Sequence, residues 1–381
     1  MPEITLLRGA RILPPEGPLV RADVLIDGGR IAGVAPTLTA PGSAGEVGLD
    51  GLILAPGFID VHVHGGGGHS LITNDPAEIT AYTHWAPKHG VTSFLATVCA
   101  GSPESAIPCA EAVAGVMSES SGAEVLGVNF EGPFVNPQRR GALPPGWLAE
   151  PDEALLGRLL DAAPVRIMTI APELEAGLDL TRAAIAAGVR VSAGHTDASY
   201  DSAREAFRAG VSHVTHAFNA MRPLHHREPG PLAAAFEAAG VTVEVIADGV
   251  HLHPATVRLL IRTLGPDRVC LVTDATQAAG MDDGTFSLGG VEARIEDGAM
   301  RLPDGTIAGG VGTMDALVRN VMSWKAASVE DALRMASAVP ARAAGVDNRK
   351  GRIATGFDAD LVALTEDLRV QRTWTRGQAA H

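Results

Sequence analysis

The chain has 381 residues, of which 46% are hydrophobic and 4% aromatic, and its formal net charge is −14. That length exceeds one ordinary domain, and the apolar fraction is ample for a large core. An acidic balance without a basic run excludes a general nucleic-acid binder, and no stretch approaches the ~18 uninterrupted apolar residues of a membrane span.

The N-terminal MPEITLLRGARILPPEG lacks the apolar run of a signal peptide. Residues 4–53, with ITLLRGARILP, ADVLIDGGRIAGVAP and APGSAGEVGLDG, read as short strands with turn signals and no helix. Strand-like apolar runs then recur: FIDVHVH (58–64), TSFLATV (92–98), VLGVNFE (125–131), VRIMTIAPE (165–173), VRVSAGH (189–195), HVTHAFN (213–219), VEVIAD (243–248) and VCLVTD (269–274). Helical segments such as PAEITAYTHWAPKHG, PDEALLGRLLDAA, LTRAAIAAG and DSAREAFRAG lie between them. Alternation of this kind predicts a parallel sheet covered on both faces, and eight units predict a TIM-like (β/α)8 barrel. A doubly wound open sheet would need a Gly-rich phosphate fingerprint after its first strand, which GGGGHS does not supply. Residues 351–381 read as strands again. The expected architecture is α/β: a barrel over residues 54–347, inserted into a small β-sandwich domain built from residues 1–53 and 348–381.

Barrels of this type carry their chemistry at the C-terminal strand ends. Those ends supply His62, His64, Glu131, His195, His216, Asp248 and Asp274. His62 and His64 are two apart, so on a strand both imidazoles face one way; alone, the pair is as compatible with two surface histidines as with a metal ion. Glu131, His195 and His216 make a two-histidine, one-carboxylate set with a position left for water, as in catalytic zinc, which lowers the pKa of water to about 7. His62 and His64 are placed to hold a second ion with Glu131 bridging. Asp274 is placed to orient the water and carry its proton, its alternative being an N-cap. Asp248 reads as a turn former. The glycines 65–68 are expected to leave room for a ligand beside the histidines. None of Lys88, Lys325 and Lys350 lies at a strand end, which excludes a carboxylated-lysine bridge. Cys99, Cys109 and Cys270 form no closely spaced pair, which predicts reduced thiols in a cytoplasmic protein.

PGFIDVHVHG, the terminal GRIATGFDADLVAL and the strand-end histidines resemble the amidohydrolase superfamily. Within it, FEGPFVNPQRRGA, SAGHTDAS, THAFNAMRPLHHREPG, DGVHLHP, LVTDAT and TIAGG resemble the N-acetylglucosamine-6-phosphate deacetylase family. The resemblance implies hydrolysis of the acetamide of a phosphorylated amino sugar, in amino-sugar catabolism or cell-wall sugar recycling. It implies one or two divalent ions per subunit, Zn2+ foremost, with Glu131, His195 and His216 as ligands and Asp274 as the proton carrier. Substrate contacts carry over to Asn219, Ala220, Arg227 and His251, to Ala142 and Leu143, and to Ile307, Ala308 and Gly309. Asn219 and Ala220 are expected to open a helix, where free amides favour anions. The family's phosphate-binding arginine comes from a neighbouring subunit, which implies a homodimer. Some relatives lack the H-x-H pair and use one metal; this chain has it and resembles the two-metal branch. Several relatives carry a substrate-contacting histidine where this chain has Leu143, a role left to His225 or His226 unless the substrate differs. Alternatives are an amidohydrolase acting on another N-acyl amino sugar, a cyclic amide or an N-acyl amino acid, and a scaffold that has lost catalysis.

Overall fold

The computed structural model describes residues 4–42, 44–118, 121–282, 284–288 and 291–381. The apolar runs form eight strands: β1 (Phe58–Val63), β2 (Val91–Val98), β3 (Glu124–Phe130), β4 (Val165–Ile170), β5 (Arg190–Ala193), β6 (His213–Val214), β7 (Thr242–Val245) and β8 (Val269–Leu271). They pair in chain order and all in parallel. Every residue of β1 and β2 is buried, Asp60 and His62 included, as in a sheet covered on both faces. The barrel closes where β8 returns to β1: Val63 and Ala275 form a parallel bridge, and the N–H of Asp274 donates to the His62 carbonyl at 2.9 Å. Closure therefore sets Asp274 against the two β1 histidines.

The helices begin where the sequence offers caps. Asp75 accepts from the N–H of Ala77 ahead of Pro76–Trp85, and Asp152 accepts from Ala154 and Leu155 ahead of Glu153–Ala162. Ser199 caps Tyr200–Arg208 in the same way. A cluster joins Ile59, Leu95, Leu126, Ile167 and Val272 of the barrel wall to Val339 and Ala341 of the helix Ala338–Ala343. No helix among the described residues is long and apolar enough to cross a membrane.

Both ends of the chain contribute to one eight-stranded sheet. Ile53–Pro56 pairs antiparallel with Leu361–Leu364 on one side and parallel with Ile4–Ile12 on the other. This sheet has its own core, including Leu7, Val24, Leu54, Leu361 and Trp374. An element the sequence reading did not anticipate follows β8: a four-stranded antiparallel sheet of Thr285–Leu288, Val291–Glu296, Ala299–Arg301 and Ile307–Gly310. Its turns fall at Asp297-Gly298 and Asp304-Gly305, dipeptides that mark tight turns. Ala275 bridges Gly310, so this sheet leans over the barrel mouth.

The glycines after His64 serve packing. A Cβ on Gly66 or Gly67 would lie 2.2 or 2.3 Å from the Trp85 ring, and one on Gly65 would lie 2.2 Å from the His69 carbonyl. None of these glycines lines the cavity at the mouth. The expectation that they leave room for a ligand is corrected: they let a small hairpin lie flat on an indole.

Candidate metal centre

The strand ends converge. The Nε2 of His195 lies 2.9 Å from Oε1 of Glu131, the Nε2 of His216 lies 3.1 Å from the same oxygen, and the two nitrogens are 3.0 Å apart. All three residues are buried. Nitrogen and oxygen atoms this close, from side chains of three strands, match donors around one small cation. The Nδ1 of His195 is engaged by the carbonyl of Arg139 at 2.9 Å, which turns Nε2 inward.

His62, His64 and Asp274 form a second group beside the first. The Nε2 of His64 is 3.2 Å from Oδ1 of Asp274 and 3.4 Å from Oε2 of Glu131. The Nε2 of His62 is 3.6 Å from Oδ1 of Asp274 and 3.8 Å from Oε1 of Glu131, and it is a buried nitrogen without a hydrogen-bond partner. A buried, unpaired imidazole nitrogen aimed at two carboxylates fits a cation between them. Oε1 of Glu131 meets the first group and Oε2 faces His64 of the second, an arrangement open to a bridge.

Burial alone would raise the Glu131 carboxyl, but the His195, His216 and His64 imidazoles outweigh it and hold the group well below the usual carboxylate range. Asp274 is likewise raised by burial and lowered by more through His64 and His62, so it is a carboxylate at neutral pH. Burial lowers His62, but the charge of Glu244 outweighs that and raises it to about 9. His195, His216 and Asp274 all have left-handed backbones, with φ of 45°, 25° and 47°. Such conformations are costly for non-glycine residues and cluster at functional sites.

Above the two groups opens a cavity of about 390 Å³. Asn219, Ala220, His251, Ala142, Leu143, Ile307, Ala308 and Gly309 all line it, together with His64, Glu131, His195, His216 and Asp274. Asn219 and Ala220 sit in a turn; the next helix is Gly230–Glu237, so the expected helix start is corrected. Asp274 caps no helix. Leu143 is 3% exposed and gives the wall an apolar face. Arg227 is exposed outside the cavity, its guanidinium 2.7 Å from the His226 ring, and His225 and His226 are exposed beside it.

Two contributors escaped the sequence reading, and a third, Asp248, reads there only as a turn former. Asp248 is a turn former that also accepts from Nδ1 of His251 at 2.6 Å, which leaves the His251 Nε2 facing Oδ2 of Asp274 at 3.8 Å. Arg140 lines the cavity, with Nη1 donating to the Leu143 carbonyl at 2.8 Å; its place in QRRGA, one residue before the Gly-Ala, was its signal. Cys99, just past β2, lines the cavity with its Sγ 3.9 Å from Nδ1 of His64.

The amidohydrolase family model matches residues 53–380. The chain belongs to the amidohydrolase family. Relatives of this amidohydrolase include the N-acetylgalactosamine-6-phosphate deacetylase of Escherichia coli O157:H7, 37% identical with 98% of this chain and 99% of that one covered. The N-acetylglucosamine-6-phosphate deacetylase of Bacillus subtilis is 36% identical, with 86% and 84% covered. Among solved structures, that of a variant N-acetyl-D-glucosamine-6-phosphate deacetylase from Mycobacterium smegmatis in complex with N-acetyl-D-glucosamine-6-phosphate superposes with a TM-score of 0.92. It is 34% identical, and 99% of each chain is covered.

Proposed function

We propose that this amidohydrolase removes the acetyl group of N-acetyl-D-glucosamine 6-phosphate, giving D-glucosamine 6-phosphate and acetate, in amino-sugar catabolism or cell-wall sugar recycling. The observation that carries this reading is the meeting of Glu131, His195 and His216 at 2.9–3.1 Å on the floor of a cavity lined by every substrate residue carried over from the family except Arg227. Relatives named for this reaction match most of the chain.

A divalent ion held by Glu131, His195 and His216, with a second held by His62, His64 and the free oxygen of Glu131, would polarise a carbonyl and acidify water. Zn2+ suits these nitrogen and carboxylate donors. The residues do the rest. Asp274, ionised and at the rim, accepts the proton of the attacking water as its oxygen bonds to the acetyl carbon. It then returns that proton to the amide nitrogen as the carbon–nitrogen bond breaks, so a neutral amine and acetic acid leave, the acid giving its proton to water to become acetate. His251, fixed by Asp248, faces both Asp274 and the sugar. Arg140 offers the cavity's own guanidinium.

The subunit works as a homodimer in the cytoplasm. Arg227, exposed and outside its own cavity, is free to reach the phosphate of a partner's substrate with a charge-assisted grip; Cys99, Cys109 and Cys270 are all unpaired thiols. We read the terminal sheet, with its separate core, as the small sandwich domain, divided from the barrel near residues 53 and 348.

The N-acetylgalactosamine-named relative at 37% identity supports a second reading, the C4 epimer as substrate. Acetate release from both 6-phosphates and from unphosphorylated N-acetylglucosamine, with metal quantified on the same sample, tests all of this. The reading predicts the highest kcat/KM for N-acetylglucosamine 6-phosphate. Equal turnover without the phosphate removes the Arg227 role, and preference for the epimer installs the second reading.

A further inference from the structure

Glu244, on β7, has no exposed surface, and no step above uses it. Its Oε2 accepts from Nδ1–H of His62 at 2.9 Å and from the main-chain N–H of His216 at 3.0 Å. Its Oε1 lies 3.0 Å from Nε2 of His213, whose Nδ1 faces the Thr242 hydroxyl at 2.5 Å. A carboxylate inside a barrel is costly unless its lone pairs are met, and here three N–H groups meet them. Each donor leads somewhere different: one to a β1 histidine, one to the backbone of a β6-end histidine, one to the barrel wall.

The first of these contacts has a chemical consequence. With the His62 Nδ1–H committed to Glu244, Nε2 is the nitrogen left for an ion once it gives up any proton of its own, and it is buried without a hydrogen-bond partner, facing Asp274 and Glu131. We propose that Glu244 is a positioning residue for the second ion: it fixes the tautomer and direction of His62, and through the His216 N–H it holds that ligand in register with the first-ion set. A carboxylate behind a ligating imidazole also makes the ligand nitrogen more basic. His64 has a weaker counterpart, its Nδ1 3.1 Å from the Thr97 carbonyl. The inference rests on the two-ion reading proposed above.

Glu244→Gln keeps the shape but turns one acceptor into a donor, so one N–H loses its partner. Metal-free wild type and E244Q are titrated with Co2+ by calorimetry, with bound metal counted after dialysis. The expected result is two ions in wild type, an unchanged first ion in E244Q, and a second ion bound ~10–100-fold more weakly. In H62A, adding E244Q should weaken the second ion no further, because Glu244 acts through His62. Unchanged second-ion affinity in E244Q overturns the proposal. Histidine 15N spectra of the metal-free wild type give an arm that needs no variant. A proton on His62 Nδ1 supports the assignment, and a bare Nδ1 overturns it. Wild type that takes up a single ion overturns the two-ion reading instead, and the Nδ1 result then decides on its own whether Glu244 orients His62.

Discussion

One strand carries a buried carboxylate cluster at each end, and the two are completed in opposite ways. At the start of β3, Glu124 lies 2.8 Å from Nζ of Lys350 and 2.5 Å from Nη2 of Arg349, and Lys350 also contacts Asp358 and Asp360. The oxygens of Glu124, Asp358 and Asp360 are close enough together to hold a metal ion, but the ammonium of Lys350 already lies among them. Just past the other end, Glu131 meets only imidazoles, and His62 Nε2 and His216 Nδ1 have no partner. The lower cluster is neutralised by the chain's own cations and fastens the C-terminal strands to the barrel. The upper one has no lysine or arginine side chain in it and turns the Nε2 atoms of His195 and His216 toward one oxygen of Glu131. Proximity of acidic groups is common to both; what separates a site from a rivet is whether the protein has supplied the counter-charge. The placement agrees with barrels generally, in which chemistry sits at the C-terminal face and stability at the other.

The largest effect expected from this difference is at the mouth. His195→Ala should lose the first ion and lower kcat/KM by ~10³-fold or more, since an ion supplies several kcal/mol of transition-state stabilisation. Metal analysis and an acetate-release assay on one preparation read it; retained metal would mean the ligand set is misassigned. Asp274→Asn should keep the ion and lose ~10²–10⁴-fold in kcat, the range of proton-transfer catalysis. At the base the signs reverse. Lys350→Met leaves buried carboxylates unpaired and should cost about 3–5 kcal/mol of stability, while kcat/KM of the folded enzyme stays within about twofold. Thermal unfolding with a parallel assay checks this. A catalytic loss matching that of His195→Ala would break the contrast between the two ends.

How far the sequence foretold this depends on what each feature needs. The eight strands were legible because a parallel sheet buried on both faces favours near-continuous apolar runs, and FIDVHV and VTSFLATV come close to that, broken only by Asp60, His62 and three hydroxyl residues. Glu131, His195, His216 and Asp274 were legible because polar residues closing such runs land on one rim. The order of residues along the chain could not reveal that Glu244, inside the apolar-flanked VEVIAD, would face His62 across the barrel. That contact spans 182 residues and depends on closure. Asn219 and Ala220 looked like a helix start because a strand preceded them, but His216, Phe218 and Ala220 take left-handed backbones that turn the chain away from a helix. The glycines beside His64 misled for a related reason. A glycine run records that something approaches closely, and here it is Trp85, the last residue of the helix Pro76–Trp85.

Acidification separates the two clusters by a smaller amount. Burial raises Glu124, but Arg349 and Lys350 outweigh it and bring its pKa from 4.5 to about 2. A carboxyl depressed in the folded state contributes stability that is fully present above about 4.5 and fades as pH falls toward 2, on the order of 3 kcal/mol here. Wild type should therefore lose its advantage over Glu124→Gln across that window and nowhere above it. At the mouth, protons compete with the ion for imidazole nitrogens, so metal should leave at a higher pH than the one at which the Lys350 cluster opens. Metal release and unfolding followed along one acid titration should be two separate events, release first. Coincident transitions would mean that the ion, and not the Lys350 cluster, holds the fold at low pH.

The smallest effect concerns how firmly the mouth is held before any ion arrives. The Nε1–H of Trp147 donates to the Glu131 carbonyl at 2.6 Å, pinning the main chain beneath the Glu131 carboxylate. Trp147→Phe removes that donor from a fully buried position and should cost about 1–3 kcal/mol of stability, because the carbonyl is left unpaired. If the ion itself organises its ligands, the variant should bind metal several-fold more weakly yet recover wild-type kcat at saturating metal. If the backbone must be set first, kcat stays depressed however much metal is added, because the Glu131 carboxylate then sits at the wrong height. Steady-state rates at rising Zn2+ separate the two. Recovery is the outcome expected here, since a cluster that lacks its own cation should draw most of its order from the one it binds.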